Sequence, residues 1–425
     1  MKKINYFISI NEKKTKAFEW GKIIAITGST QFLIQVISFA SGVLIIRLLP
    51  TQEYALYTLT NTMLGTMTIL ADGGIAAGVM AKGGGVWLEK IELGKVLSSG
   101  MDLRKKFALI SFLVAIPILI FLLKHHDASW LMIVLICLSL APAFFSSLSN
   151  TILQIPVKLR QDLIPLQTNQ VEANFLRLGM LMLTLFIFPW CFIAILAAGL
   201  PQIWANYTLK KISIPYADWN QKPSPIIKKD ILKFVHRILP GAIYYCLSGQ
   251  ISIWIISLNG STLAVASLGA LGRLSMILGL FGTLFGILVV PRFARLSKNT
   301  GLLKKYFQIQ TILLLLMSTI IFLIWLIPSY FLWILGKDYE NLEFELVISI
   351  AGSCVSLLAG LSFTLFTSRG FAINPLYSIP INILSIVAGA IFLNVSTLEG
   401  ILFFNLFISG IQYIMNGIYG GLKMR

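Results

Sequence analysis

The sequence predicts an all-α membrane protein with about 12 transmembrane helices in two six-helix bundles and both termini cytoplasmic. Three observations lead there. First, 57% of the 425 residues are hydrophobic and only 12% are charged, whereas a soluble domain is roughly 45–50% apolar and about 25% charged. So little charge cannot wet the surface of a globule, which excludes the soluble enzyme classes. Second, the apolar residues gather in twelve runs near the length of about 20 residues that spans a bilayer. Third, Lys and Arg alternate with those runs in a way that fixes one orientation.

The runs lie at roughly 21–46, 54–81, 107–123, 130–154, 165–188, 190–208, 238–258, 261–290, 307–333, 343–367, 374–394 and 398–420. Several are joined by a few residues only, such as Asn259-Gly260-Ser261 and Phe188-Pro189-Trp190. Those links are helical hairpins and leave no room for an extramembrane domain. With the N-terminus in the cytoplasm, 29 of the 34 Lys and Arg fall on the cytoplasmic side. Only Arg47, Lys124 and Lys337 fall outside, and Arg177 and Arg273 lie within spans. Cytoplasmic loops retain basic residues, so an even number of spans follows. The net charge of +17 is thereby explained by orientation, and no nucleic acid partner is expected.

The organisation that follows is a cytoplasmic N-terminal segment at 1–20, a first bundle at 21–208, a cytoplasmic linker at 209–237, a second bundle at 238–420 and a short tail at 421–425. The N-terminal segment is basic and lacks an apolar core with a cleavage site, so it reads as retained. The linker carries Pro215, Pro223 and Pro225. A faint echo between Tyr54-Ala-Leu-Tyr-Thr-Leu and Val265-Ala-Ser-Leu-Gly-Ala suits the parallel repeats of some transporters. The four cysteines, Cys137, Cys191, Cys246 and Cys354, have neither CxxC spacing nor a nearby His, so they read as buried free thiols without a metal.

Function is carried by polar residues inside the runs, because a helix facing only lipid needs none. Gly28, Gln31, Gln35, Ser38 and Gly42 recur at steps of three and four, which is one helix face. Asn61, Gly65, Thr68 and Asp72 do the same in the second run, and Gln170, Asn174, Arg177 and Thr184 in the fifth. The tenth offers Ser349, Ser353, Ser356, Gly360, Thr364 and Thr367; the eleventh offers Ser378, Asn382, Ser385 and Gly389; the twelfth offers Asn405, Ser409, Gln412 and Asn416. Single Ser/Gly stripes serve as helix–helix glue. Amides recurring on four or more helices point instead to a shared aqueous cavity between the halves, since each unsatisfied amide in hydrocarbon costs several kcal/mol.

Arg177 and Arg273 each lie about twelve residues into their spans, roughly 18 Å deep at 1.5 Å per residue. One such Arg costs about 2.5–3.5 kcal/mol on insertion scales, so it must be paired or wet. Candidate acids in the spans are Asp72 and Glu172, and Glu172 sits about 140° round the helix from Arg177. Helix-end carbonyls or Asp72 could satisfy these arginines; a cationic site in the cavity is the functional reading. One guanidinium–phosphate contact at 4 Å is worth about 4 kcal/mol at an effective dielectric of 20, and Arg grips phosphate oxygens bidentately. Arg47 ends the first run and either snorkels, paired with Glu53, or meets substrate. His125 and His126, beside Asp127, and Lys82 read as solvated. No catalytic constellation and no phosphate-binding Gly-Lys-Ser/Thr motif is present, so neither an enzyme nor an ATPase is expected.

The passage Ser41-Gly-Val-Leu-Ile-Ile-Arg47-Leu-Leu-Pro-Thr-Gln-Glu53-Tyr54-Ala-Leu-Tyr57, followed by Leu70-Ala-Asp72-Gly-Gly, resembles the start of the bacterial polysaccharide-transporter family. These are the Wzx-type O-antigen/oligosaccharide flippases of the multidrug/oligosaccharidyl-lipid/polysaccharide (MOP) superfamily. The specific part covers about forty residues, with Ala55 where Gly is usual and Gly73 where Leu is common. The resemblance implies a V-shaped, MATE/MurJ-like pair of six-helix bundles that opens alternately to either side. It implies a flippase for undecaprenyl-pyrophosphate-linked oligosaccharide repeat units in the bacterial plasma membrane, without a cofactor, serving O-antigen or capsule synthesis. Arg47 and Asp72 belong to its motif. Expected partners are the lipid-linked oligosaccharide, membrane lipid, a coupling H+ or Na+ and polysaccharide polymerase or assembly proteins. The candidate substrate-binding residues are Arg177, Arg273, Arg47, Asp72, Gln31, Gln35, Asn61, Asn174 and Gln170. The alternative is a cation-coupled multidrug antiporter of the same fold, which needs carboxylates in the cavity.

Overall fold

The computed structural model describes residues 28–290, 293, 301–369, 371 and 373–424. The N-terminal segment 1–20, the start of the first run and the side chain of Cys246 lie outside the described residues. Those described are helical, with no strand among them. The helices are α1 Gly28–Leu48, α2 Thr51–Asp72, α3 Ile75–Gly85, α4 Lys90–His125, α5 Trp130–Arg160, α6 Leu163–Leu185 and α7 Cys191–Ser213 in the first lobe. The second lobe has α8 Pro225–Asn259, α9 Thr262–Ser275, α10 Leu278–Leu288, α11 Leu302–Leu326, α12 Pro328–Leu335, α13 Glu343–Thr367, α14 Pro375–Phe392 and α15 Leu398–Met424.

A helix occupies each of the twelve runs, but fewer are long and apolar enough to cross a membrane unaided. Eight qualify among the described residues, and a ninth if the bent pair α2–α3 counts as one span. That is a multi-pass membrane protein. The helix α6 falls outside this set because it carries Gln167, Asn169, Gln170, Glu172, Asn174 and Arg177. Among the described residues, shorter apolar helix also runs at Gln250–Asn259 in α8 and at Leu376–Phe392 in α14.

Helix starts follow local chemistry. Ser129 and Ser261 accept hydrogen bonds from Met132 N and Ala264 N, which caps α5 and α9. Pro225 and Pro328 open α8 and α12, where the missing N–H costs nothing. Between α2 and α3 the chain bends by 42°. Gly73 and Gly74 both take positive φ there, 49° and 93°, a conformation that glycine adopts without strain. The Asp72 carboxylate then accepts from Ala76 N at 3.1 Å and restarts the helix.

The polar stretch expected as a linker resolves into the end of α7, a connector at 214–224 and the opening turns of α8. Those turns belong to the first lobe. Ile231 and Val235 are buried with Ile75, Val79 and Leu97, while Lys228 pairs with Asp102 at 2.6 Å and Lys82 with Asp230 at 2.5 Å. Lys82, expected to be free in solvent, thus makes a half-exposed ion pair that holds the Asp230 carboxyl below its usual range. At the opposite end the lobes themselves touch. The α2 and α9 backbones approach so closely that a Cβ on Gly269 would meet Thr58 Oγ1 at 2.5 Å. One continuous apolar core runs through both lobes there, from Tyr54, Tyr57 and Leu123 to Val265, Leu332 and Leu402.

Candidate functional site

In the first lobe α6 lies against α1, α5 and α7, and its amides meet theirs. Gln31 Nε2 donates to Gln170 Oε1 at 3.4 Å, and Ser38 Oγ donates to Asn174 Oδ1 at 3.3 Å. Asn174 Nδ2 in turn donates to the Gln170 carbonyl at 2.8 Å. Behind them, Asn150 and Gln202 both donate to Asn206 Oδ1, at 3.0 and 3.1 Å, and Asn206 donates to the Ser146 carbonyl at 2.6 Å. Together Gln31, Asn150, Asn169, Gln170, Asn174 and Gln202 line a cavity of about 280 Å³.

A second cavity of about 150 Å³ adjoins it through Gln202 and holds Arg177. Its other polar lining is Tyr57, Thr60, Asn61, Ser146 and Ser147. Arg177 Nε is buried without a hydrogen-bond partner among the described residues. No carboxylate among them pairs with this guanidinium, and Glu172 is exposed, turned away on the same helix. Every other polar side chain in the lining is a neutral donor or acceptor, and the rest is apolar. The cavity is electropositive for that reason.

Arg273 sits elsewhere, where the lobes meet. Its stem crosses Gly42 of α1 so closely that a Cβ there would lie 3.2 Å from Arg273 Cδ. Its guanidinium faces the hydroxyls of Tyr54 and Tyr57 on α2, both nearly fully buried, and approaches Met276 Sδ at 3.6 Å. Beside it, Gln35 of α1 donates to the Met276 carbonyl at 3.1 Å. The expectation of one cavity shared by Arg177 and Arg273 therefore needs correcting: the polar space is divided. Tyr57 stands between the two arginines, lining the Arg177 cavity and meeting Arg273 with its hydroxyl.

Asp72 and Arg47 are engaged locally. Asp72 pairs with Arg104 at 2.8 Å, and Arg104, only 2% exposed, also donates to the Leu148 carbonyl and Thr151 Oγ1. Arg47 donates to the carbonyls of Ile334 and Trp333 and covers the Trp333 ring at 5.0 Å. It thus seals the C-terminal end of α12, as cations do at helix ends. Glu53 is not its partner; that carboxylate caps α7 by accepting from Cys191 N at 2.8 Å. His126, expected in solvent, is 2% exposed.

The second lobe presents a larger and different cavity of about 740 Å³. The stripes read from the sequence line it: Ser349, Ser353, Ser356, Gly360 and Thr364 from α13, and Asn405 and Ser409 from α15. Gly272, Ser275, Gly279 and Gly282 complete it from α9 and α10, and none of its lining residues is charged. No cluster of metal-ligating side chains occurs among the described residues.

Several polar residues of the site went unread in the sequence. Gln202 and Asn206 stand four apart on α7, as Asn150 and Gln154 do on α5, and that spacing was a usable signal. Arg104 was counted in a loop because α4 outruns its apolar run. The buried series Gly100, Arg104, Ala108, Ser111 and Ala115 passes through it at steps of three and four.

Solved structures of the same shape put this architecture in context. Over 92% of this chain and 94% of the other, it matches the inward-facing conformation of a multidrug resistance MATE family transporter of the MOP superfamily, with 13% identity and a TM-score of 0.67. Over 94% and 90% it matches the inward closed conformation of the lipid II flippase MurJ, with 15% identity and a TM-score of 0.68. A MOP superfamily transporter from Pyrococcus furiosus, described as having a binding pocket of reversed polarity, aligns at 16% identity over 95% and 94% with a TM-score of 0.58. The chain has the MATE/MurJ-like fold. No protein-family model and no curated protein matches its sequence.

Proposed function

We propose that this protein is a flippase that moves lipid-linked oligosaccharide repeat units across the bacterial plasma membrane by alternating access. Undecaprenyl pyrophosphate is the carrier that this reading expects, and surface polysaccharide synthesis the process it serves. The observation that carries the reading is Arg177: a guanidinium without an acid partner among the described residues, inside a lobe, beside two cavities that carry amides and hydroxyls. A phosphate supplies the charge that Arg177 lacks, and sugar hydroxyls exchange donors and acceptors with Gln31, Gln170, Asn174 and Gln202. The wide neutral cavity of the second lobe supplies room for the rest of a bulky headgroup.

A proton- or cation-coupled drug antiporter would instead hold a free carboxylate in a cavity. Asp72 is neutralised by Arg104 and Glu172 is exposed, so the geometry offers none among the described residues. Translocation by the full-length protein in liposomes tests the proposal, with a fluorescent polyprenyl-pyrophosphate-linked sugar as substrate. The protein speeds transfer between leaflets, and Arg177→Ala slows it at least tenfold at equal folding. Equal rates for both, or transport of lipophilic cations instead, overturn it.

A further inference from the structure

His126 follows α4 in the short turn before α5, on the face opposite the linker. Its ring crosses the lobe boundary. Nε2 lies 3.0 Å from the Ser257 carbonyl and 3.1 Å from Ser257 Oγ, at the end of α8. Nδ1 lies 3.0 Å from Thr262 Oγ1, at the start of α9. A carbonyl only accepts, so Nε2 carries the proton, and the neutral ring leaves Nδ1 to accept from the Thr262 hydroxyl. Both ring nitrogens are thus satisfied across the boundary in the neutral form, at 2% exposure.

We propose that His126 is a proton-operated latch: neutral, it fastens the two lobes on this face, and protonated, it releases them. A second proton on the ring places a full charge on a side chain that is 2% exposed, and it requires the Thr262 hydroxyl to turn from donor to acceptor. Few charges stand near to relieve that. On its own segment the ring meets His125 edge-on at 5.4 Å, with Asp127 next in the chain and Lys124 drawn over Trp130. From the second lobe, α8 and α9 bring Ser257, Asn259, Ser261 and Thr262, none of which titrates. Burial, chiefly, holds the imidazole below its ordinary value of 6.5, with His125 adding to this and the Ser257 carbonyl and Asp127 opposing it.

The sign follows. The fastened state binds fewer protons than the parted state, so its advantage is complete at alkaline pH and declines as pH falls through the imidazole range. For one proton, the parted-to-fastened ratio rises by at most tenfold per pH unit. Proton binding on this face therefore biases the protein open toward that face, which is what an ion-coupled alternating cycle requires. The latch adds a named residue and a coupling ion to the alternating-access reading, yet its test needs no substrate.

Spin labels at Leu131→Cys and Tyr330→Cys, both strongly exposed on this face, report the distance between lobes for the full chain in lipid nanodiscs. The expected result is a population that lengthens between pH 8 and pH 5, absent in His126→Gln and retained in His125→Gln. Thr262→Val removes one contact and moves the transition to higher pH, which keeps the test decisive should His126→Gln fold poorly. A wild-type distance indifferent to pH, a full response in His126→Gln, or an unmoved transition in Thr262→Val overturns the latch. A latch that responds while lipid-linked sugars stay put would overturn the flippase reading alone.

Discussion

The two lobes share an architecture and differ in the chemistry of their cavities. The first lobe offers a guanidinium with no acid partner among the described residues and a tight set of amides, in about 150 and 280 Å³. The second offers about 740 Å³ walled by glycine, serine and large apolar side chains, without a charge. The contrast also runs inside the first lobe, between the buried Arg104 and the half-buried Arg177. Arg104 has an acid, a carbonyl and a hydroxyl around it, whereas no carboxylate among the described residues pairs with Arg177; the Nε atoms of both lack a hydrogen-bond partner there. One guanidinium is tied into the fold, and the other is the one the proposed function assigns to a ligand.

Removing Arg104 is the harshest way to separate these roles. Arg104→Met leaves Asp72 beside the α2–α3 bend as an uncompensated carboxylate, and breaking a buried pair costs about 3–5 kcal/mol. The expected outcome is a large fall in thermal stability in detergent, with partial recovery in Arg104→Met/Asp72→Leu. A stability equal to wild type would show that Asp72 is wet and free to serve the cavity after all.

Arg177→Ala sharpens the contrast from the other side. It takes away a cation that touches no acid, so unfolding temperature should hold or rise. Binding of inorganic pyrophosphate should weaken at least tenfold, about 1.4 kcal/mol. Arg177→Lys should recover part of it, because an ammonium keeps the charge but loses the bidentate fork. Pyrophosphate affinity unchanged in Arg177→Ala would make this guanidinium structural.

For the second lobe the test is volume. Gly360 on α13 faces the cavity, and a Cβ there meets no atom within 4 Å. Gly360→Leu therefore fits without strain and removes the helix penalty of about 1 kcal/mol that glycine carries. The expected result is a slightly more stable protein that transports several-fold more slowly. Undiminished transport would mean that the 740 Å³ space is not used by the headgroup.

The helices and the stripes were legible in the sequence because both rest on local periodicity. Runs of Leu, Ile and Phe reveal spans, and steps of three and four place Ser353, Ser356 and Gly360 on one face before any coordinates exist. Pairing was not legible, because it depends on which helices become neighbours. Nothing in the spacing of Asp72 and Arg104 shows that α2 and α4 pack together, and nothing near His126 reveals Ser257. Arg177 and Arg273 looked equivalent by depth alone. Their difference lies in the neighbours: α6 faces amides, while α9 meets the tyrosines of α2.

The smallest effect concerns Arg47, whose place at the end of the first span left substrate contact open beside snorkelling. Its guanidinium spans the carbonyls of Trp333 and Ile334 and lies on the Trp333 ring, on the same face as His126. Exposed cation–π contacts contribute about 0.5–1 kcal/mol, so Arg47→Ala should shift the lobes toward the parted state by no more than a few-fold. Pyrophosphate affinity should stay at the wild-type level, because Arg47 does not line the Arg177 cavity. Label distances on this face, taken with pyrophosphate titrations of the same variant, separate the two roles. A variant that binds pyrophosphate tenfold more weakly, with unmoved lobes, would return Arg47 to the substrate path and join the two ends of the molecule in one electropositive route.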